Sequence, residues 1–345
     1  METMTRPAWE PIMRDRLRLG WRGYAAAGVY AALVVLVTLA AKYQWTIGSV
    51  ELGNAYYLHN LTLIGINVIL VASLNLVNGW LGEFAIGHAG FLAVGAYASS
   101  VVTLLLHQPF WVALAVGALA AAVAGCLIGL PAFKTFGDYL AIITLGFNMI
   151  IVNIIQNLDI VGGPRGWGGQ PKMTTFWLVA TMAGLTLIVL RNLVYSNYGR
   201  VWLAIRENEI AAEMMGVNVL RYKMSAFVVS ALFAGLAGGV WAHYQQYIHP
   251  SSFTYLRTTD LLVMLYLGGM ASLSGSVLGV TIMTVLLEVL RGVLSQFNLV
   301  EWRMVISPLV LIVIMLTRPQ GLMGNREFGF VPRREEVVRR EPARG

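Results

Sequence analysis

The sequence predicts an all-α polytopic membrane protein with about ten transmembrane helices and with broken or re-entrant segments. Three observations predict it. Apolar residues make up 57% of the 345-residue chain and charged residues only 12%, against about 25% charged in a soluble domain. From Leu52 to Leu130 the single formal charge is Glu83, and runs of about 20 apolar residues are what cross a hydrocarbon core of about 30 Å. The basic residues gather in the two tails and one central loop, as the positive-inside rule requires of a chain with many spans.

The N-terminal tail, residues 1–23, carries Arg6, Arg14, Arg16, Arg18 and Arg22 and precedes an apolar run from Tyr24 to Ala41. A signal peptide has an apolar stretch of about 7–15 residues. This run is longer, and Thr38-Leu39-Ala40 makes a poor cleavage site, so it reads as an uncleaved first span. Further spans fall near 57–77, 88–106, 111–130, 139–158, 176–191, 224–247, 259–271, 276–296 and 304–317. An even number of crossings puts both tails on the cytoplasmic side of a bacterial inner (plasma) membrane. Eighteen Lys and Arg then lie on that side: the N-terminal tail, Lys134, the stretch 191–223 and the tail 318–345. Five lie outside (Lys42, Arg165, Lys172, Arg257 and Arg303), and Arg291 falls within a span. The membrane domain occupies 24–317, with a cytoplasmic loop at 192–222. The tail 318–345 is charged, poor in large apolar groups and therefore solvated. Topology and contact with anionic lipid headgroups account for the net charge of +7; no nucleic-acid partner is needed.

Several chemistries are excluded. The lone cysteine, Cys126, sits in an apolar run and supports neither a disulfide nor a cysteine metal cluster. The five histidines show no metal-ligand spacing such as H-E-x-x-H, so no metal is expected, and no Walker A pattern occurs. No nucleophile–base set appears, so the chain reads as a non-enzyme. Any ATP that drives it must be bound by another chain.

Four constellations stand out. In Asn75 to Gly95 the glycines Gly79, Gly82, Gly87, Gly90 and Gly95 interrupt apolar sequence, together with Asn75, Asn78, Glu83 and His88. Such glycines either break a helix around a solute pathway or let two helices approach closely. Asn75, Asn78, Gly79, Gly82, Glu83, Gly87, His88 and Gly90 are the candidate pathway residues. Glu83 has two readings, a substrate contact or an acceptor for backbone N–H groups near the membrane face. The stretch Ile160 to Pro171 holds five glycines and two prolines and excludes a regular helix. It faces outward on this topology, as a connector, an entrance or a surface for a substrate-delivering protein. A second glycine- and serine-rich stretch, Leu267 to Gly279, is similar in character to the first. Glu288 and Arg291 form an i, i+3 pair in an apolar run, either functional or a structural ion pair.

The central loop is the sharpest of the signals. From Gly199 to Gly216, charges fall on Arg200, Arg206, Glu207, Glu209 and Glu213, while Val201, Ala204, Ile205, Ala212 and Met215 recur at helical spacing. This predicts a short amphipathic helix ended by Gly216. A helix lying on lipid is usually rich in Lys and Arg on its polar face. Three glutamates there favour a soluble partner instead.

The stretch from Gly79 to Tyr97 resembles the first signature of the LivH/LivM family of branched-chain amino acid ABC-transporter permeases. Arg206-Glu-Asn-Glu-Ile-Ala-Ala-Glu-Met-Met-Gly-Val-Asn is similar to that family's cytoplasmic coupling segment. The run that opens Arg221-Tyr-Lys-Met-Ser and the closing Arg318-Pro-Gln-Gly-Leu also fit. The resemblance covers roughly residues 55–325 and is closer to the LivM branch. It implies a permease that pairs with a paralogous permease subunit to form one pathway. Two cytoplasmic ABC ATPase subunits would bind ATP and Mg, leaving this chain without a cofactor. Arg200, Arg206, Glu207, Glu209, Ala211, Ala212, Glu213 and Gly216 would engage one of them. A periplasmic or lipid-anchored substrate-binding protein would deliver the solute. There are departures: Ile210 separates Glu209 from the alanines of the general E-A-A-x-x-x-G loop, and Glu83 and His88 stand where glutamine is expected at one or both positions. Asn67, Ser73, Asn75, Asn78 and Thr144 within the spans suit a neutral solute. Branched-chain amino acids, other neutral amino acids, and urea or a short amide all remain open. A self-powered secondary transporter would need a coupling carboxylate in mid-span, with Glu288 as the candidate.

Overall fold

The computed structural model describes residues 46–47, 50–51, 55–134, 139–296, 302, 306, 309, 312–313, 316–317 and 321–324. The first span read at 24–41, most of the span read at 304–317 and the tail beyond 324 lie outside these residues. The chain divides into two units, Met1–Asn54 with Glu327–Gly345, and Ala55–Arg326. The described part of the first is an antiparallel hairpin of β1 (Thr46–Ile47) and β2 (Val50–Glu51).

The second unit is helical. It runs α1 (Ala55–Asn75), α2 (His88–Leu104), α3 (Phe110–Ala132), α4 (Tyr139–Gln156), α5 (Phe176–Val194), α6 (Asn197–Glu207), α7 (Glu209–Met214), α8 (Val219–Gln245), α9 (Tyr255–Gly268) and α10 (Leu273–Gln296). Among the described residues, six helical stretches are long and apolar enough to cross a membrane: Ala55–Leu81, α3, α4, α5, α8 and α10. This is the all-α polytopic membrane architecture that the composition requires. Two of the spans read from the sequence, 88–106 and 259–271, are shorter helices, α2 and α9, each entered through largely irregular chain. Arg257, read as an outer-loop residue, lies in the first turn of α9, because that helix begins at Tyr255.

Small residues explain the packing. Helices in lipid gain no hydrophobic drive from one another, so close backbone approach decides which pairs associate. The helices α2, α3 and α8 pack in this way. A Cβ on Gly95 would lie 2.1 Å from the Gly235 carbonyl, and one on Gly238 would lie 2.2 Å from the Leu92 carbonyl. Helix α1 runs antiparallel to α8. His59 Nδ1 meets Tyr244 OH at 2.8 Å at one end, and Ser230 Oγ donates to the Ser73 carbonyl at 2.6 Å deeper in. Helices α9 and α10 form a hairpin in which Gly268 and Gly275 touch backbone to backbone. The second glycine-rich stretch therefore serves close packing. The glycine-rich loop after α4 is pinned to the far end of α8. Its β3 (Trp167–Gly168) pairs with β4 (Tyr247–Ile248), and Tyr247 OH donates to the Arg165 carbonyl at 2.5 Å.

Candidate functional site

At the end of the bundle where α8 begins, α6 and α7 form a small cap. Ser196 Oγ accepts from the Tyr198 amide, and Gly199 lies so close to the Val194 carbonyl that a Cβ would fall 1.8 Å from it. The chain thus folds sharply back from α5. Trp202 is fully buried, and its Nε1 donates to the Tyr222 carbonyl at 2.9 Å, which fixes α6 on α8. The single helix expected over 200–216 is split at Asn208. That residue is extended (φ −162, ψ 108), and its side chain accepts from the Ala211 amide to start α7, as an N-cap asparagine does.

Helix α7 ends just before Gly216, which has φ +83 and nothing within 4 Å of where its Cβ would be. Backbone conformation alone calls for glycine there. Ala212 is buried and anchors the helix, whereas Ile210, Met214 and Met215 are 71%, 83% and 85% exposed. Arg200, Glu207, Ala211 and Glu213 are exposed around them. Large apolar side chains are thus clustered on a charged cap.

This cap is tied to the glycine-rich break after α1. Helix α1 continues as a π-helical turn, Leu76–Leu81, and stops at Gly82 in the left-handed conformation (φ +82); π turns often mark functional positions. Arg206 Nη1 donates to the Gly79 carbonyl at 2.6 Å, and the Arg206 stem packs where a Gly82 side chain would stand, 2.6 Å from its Cβ position. Lys223, buried in the first turns of α8, places its Nζ 2.5 Å from Glu83 Oε1 and 2.7 Å from Glu209 Oε2. One lysine therefore bridges the break and α7. Sequence reasoning did not single out Lys223. The available signal was a lysine placed where a long apolar helix begins, two residues after Arg221, since a lysine is almost never buried unless paired.

The other candidates lie deeper. Asn75 is fully buried. Its Nδ2 donates to the Ser272 carbonyl at 2.9 Å and to Ser276 Oγ at 2.8 Å, and its Oδ1 accepts from the Ala271 amide at 2.9 Å. It joins α1 to the start of α10. Gly79 lies directly against it, with a Cβ position 1.9 Å from Asn75 Oδ1. Asn78 Oδ1 accepts from the Ala85 amide at 3.4 Å. Thr144 Oγ1 accepts from the Ile86 amide at 3.1 Å, and a Gly87 Cβ would lie 2.2 Å from the Thr144 carbonyl. His88 is buried, with its Nε2 3.0 Å from Ser73 Oγ, and Gly90 packs on Phe147. From Ala85 to Gly87 the irregular segment is covered by protein, the condition for non-helical backbone at membrane depth, whereas Gly82 and Phe84 are exposed beside the cap. The structure groups Gly79, Gly82 and Glu83 with Arg206 and Glu209 at the cap, and Asn75, Gly87, His88 and Gly90 in the interior.

A cavity of about 450 Å³ opens between α3 and α4, lined by Leu127, Ile128, Ile143, Phe147 and Ile150 among others. Its apolar walls suit an acyl chain better than a polar solute.

Comparison with known proteins follows the same lines. The family model described as "Branched-chain amino acid transport system / permease component" matches residues 56–315. The chain is 34% identical over 328 residues to the high-affinity branched-chain amino acid transport system permease protein LivM of Escherichia coli K12, covering 84% of this chain and 74% of that one. It is 25% identical over 283 residues to a probable LivM permease of Methanocaldococcus jannaschii, covering 74% and 81%. It is 23% identical over 298 residues to the LivH permease of E. coli K12, covering 78% and 94%. No solved structure matches the chain.

Proposed function

Because the chain belongs to the branched-chain amino acid transport permease family and is LivM-like, we propose that it is the membrane-spanning subunit of an ATP-driven importer for branched-chain or other neutral amino acids. It works beside a paralogous permease, two cytoplasmic ATPases that bind ATP and Mg, and a binding protein outside the inner membrane. The observation that carries this reading is the linkage at the cap: an exposed Ile210-Met214-Met215 knob on α7, connected through Lys223 and Arg206 to the broken segment after α1. An ATPase that grips the knob and moves on nucleotide binding would drag Glu209, and with it Lys223 and Glu83. Through Arg206 it would also shift the Gly79 carbonyl. Motion at the cap then reaches the point where α1 stops and the chain re-enters the membrane, which supports alternating access.

Gly216→Asp, or reversal of charge at both Glu209 and Glu213, is expected to abolish uptake while the protein still inserts. Aspartate at φ +83 costs about 1 kcal/mol or more in strain and adds a charge at the C-terminal end of α7, where a negative charge is disfavoured. Normal uptake by these variants in membrane vesicles would sink the docking assignment. Purification in mild detergent followed by mass spectrometry tests the assembly directly. Two ATPases and a second permease are expected, and a lone homo-oligomer that transports without ATP would overturn the proposal.

Glu288 separates this machine from a self-powered transporter. Its carboxylate accepts from Tyr56 OH and lies 3.7 Å from Arg291 Nη1, on a pair whose arginine is 58% exposed. Glu288→Gln is expected to leave proteoliposome uptake near wild type. Loss of transport with ATP hydrolysis preserved would put this carboxylate on the path.

A further inference from the structure

Asn67 lies near the middle of the 27-residue apolar helix Ala55–Leu81, roughly 18 Å along the axis from one end and 21 Å from the other at 1.5 Å per residue. Arg257 Nη2 donates to Asn67 Oδ1 at 2.8 Å. A guanidinium is therefore held near mid-membrane depth. Arg257 itself is half-buried, and the adjacent Tyr255 and Leu256 are 47% and 60% exposed, so part of the α9 surface is open at this level. A charge at that depth costs at least about 2.5–3.5 kcal/mol against lipid, so this face borders water or polar protein. Asn67 takes one of five guanidinium N–H donors, and the Asp260 carboxylate one turn on acts electrostatically on the same guanidinium.

The backbone around Arg257 favours an anion as well. Arg257 sits at the N-terminal end of α9, and the next residue, Thr258, accepts from the Ala89 amide through its Oγ1 at 3.0 Å. Ala89 is the second residue of α2. Two interrupted helices thus bring their N-termini together, both without a side-chain cap, and both dipoles favour negative charge there. Helix α4 adds a polar group at the same level. Asn148 is fully buried, neither atom of its amide has a partner, and its Cα lies against Gly90 in the first turn of α2. Buried amides are nearly always hydrogen-bonded, so this one has capacity for a ligand or a water. Asp260, three residues after Arg257, leaves the first two turns of α9 with no net formal charge, a better match to a zwitterion than to a net anion.

We infer that Arg257, held by Asn67 at the meeting point of the α2 and α9 N-termini, binds the carboxylate of the transported amino acid. The inference rests on the amino acid permease reading and adds a site to it. It also distinguishes an amino acid from urea, which has no carboxylate for a guanidinium fork to grip.

The test uses the complete importer in proteoliposomes, with radiolabelled leucine uptake and ATP hydrolysis measured together. Arg257→Gln is expected to lower uptake at least tenfold while hydrolysis continues, so that ATP spent per leucine rises. Arg257→Lys, which keeps the charge without the fork, is expected to recover part of it. Leucine moved at the wild-type rate per ATP by both variants would overturn the site. The wild-type complex gives a measurement free of folding defects. Phenylglyoxal modification of Arg257, mapped by mass spectrometry, should be slowed by leucine and not by isobutylamine, which lacks the carboxylate. Equal labelling with and without leucine would refute the assignment. Protection in a preparation without coupled hydrolysis would sink the importer reading and leave the carboxylate site standing.

Discussion

Lys223→Met is expected to stop uptake and to loosen the cap. The substitution keeps most of the stem and removes the one cation shared by Glu83 and Glu209. Taking one partner from a fully buried ion pair costs about 3–5 kcal/mol. Glu83 is 23% exposed and Glu209 52%, so water offsets part of this, and about 2–3 kcal/mol is the expected loss. That is enough to let α7 separate from the break without unfolding the helix bundle, whose glycine contacts lie elsewhere. The expected result is a complex that assembles and hydrolyses ATP but moves little or no leucine. Reconstituted transport measured beside ATPase activity decides the matter. The charge-swapped pair Lys223→Glu with Glu83→Lys restores one of the two bridges and should recover part of the uptake. Full uptake by Lys223→Met would show that the bridge plays no part in coupling.

Asn75→Ala is expected to destabilise the membrane domain itself. The side chain makes three hydrogen bonds in a fully buried place, to Ser272, Ser276 and Ala271. Removing it leaves the Ala271 amide without its acceptor and opens a void beside Gly79. An orphaned buried group costs about 1–3 kcal/mol, and the void adds more, so about 3–5 kcal/mol is expected. Thermal unfolding in detergent should shift down, and the purified yield should fall. Asn75→Asp keeps the acceptor and should do less harm, although it places a carboxylate in the interior. A variant of unchanged stability that fails only in transport would make Asn75 a solute contact and not a tie between α1 and α10.

Much of this was legible in one dimension. The scarcity of charge between Leu52 and Leu130 dictates membrane spans, because no soluble surface can be built without charged residues. The charges and apolar residues of 200–216 announce a helical segment between the long apolar runs, since helical periodicity is a local property of the chain. The split of that cap into α6 and α7 was not legible. Asn208 reads equally well as a helix interior residue or an N-cap, and only the fold around it selects the cap. Glu83 presented two readings in the sequence, and its partner lies 140 positions away. The same distance problem hides Arg257, whose place in an outer loop or in the membrane depends on where α9 begins and on Asn67, 190 positions earlier.

By itself the sequence determined the class of molecule, the family signatures and the location of the helical segment that forms the cap, because composition, periodicity and short motifs are local properties of the chain. Only the tertiary structure decided which charges meet: Lys223 with Glu83 and Glu209, Arg206 with the Gly79 carbonyl, Arg257 with Asn67. The physical reason is that a charge near or within a membrane is tolerated only with a partner, and the partner is chosen by which helices pack together. That choice is made by the close approach of glycines such as Gly95 and Gly235, residues that carry no information about their partners until the chain has folded.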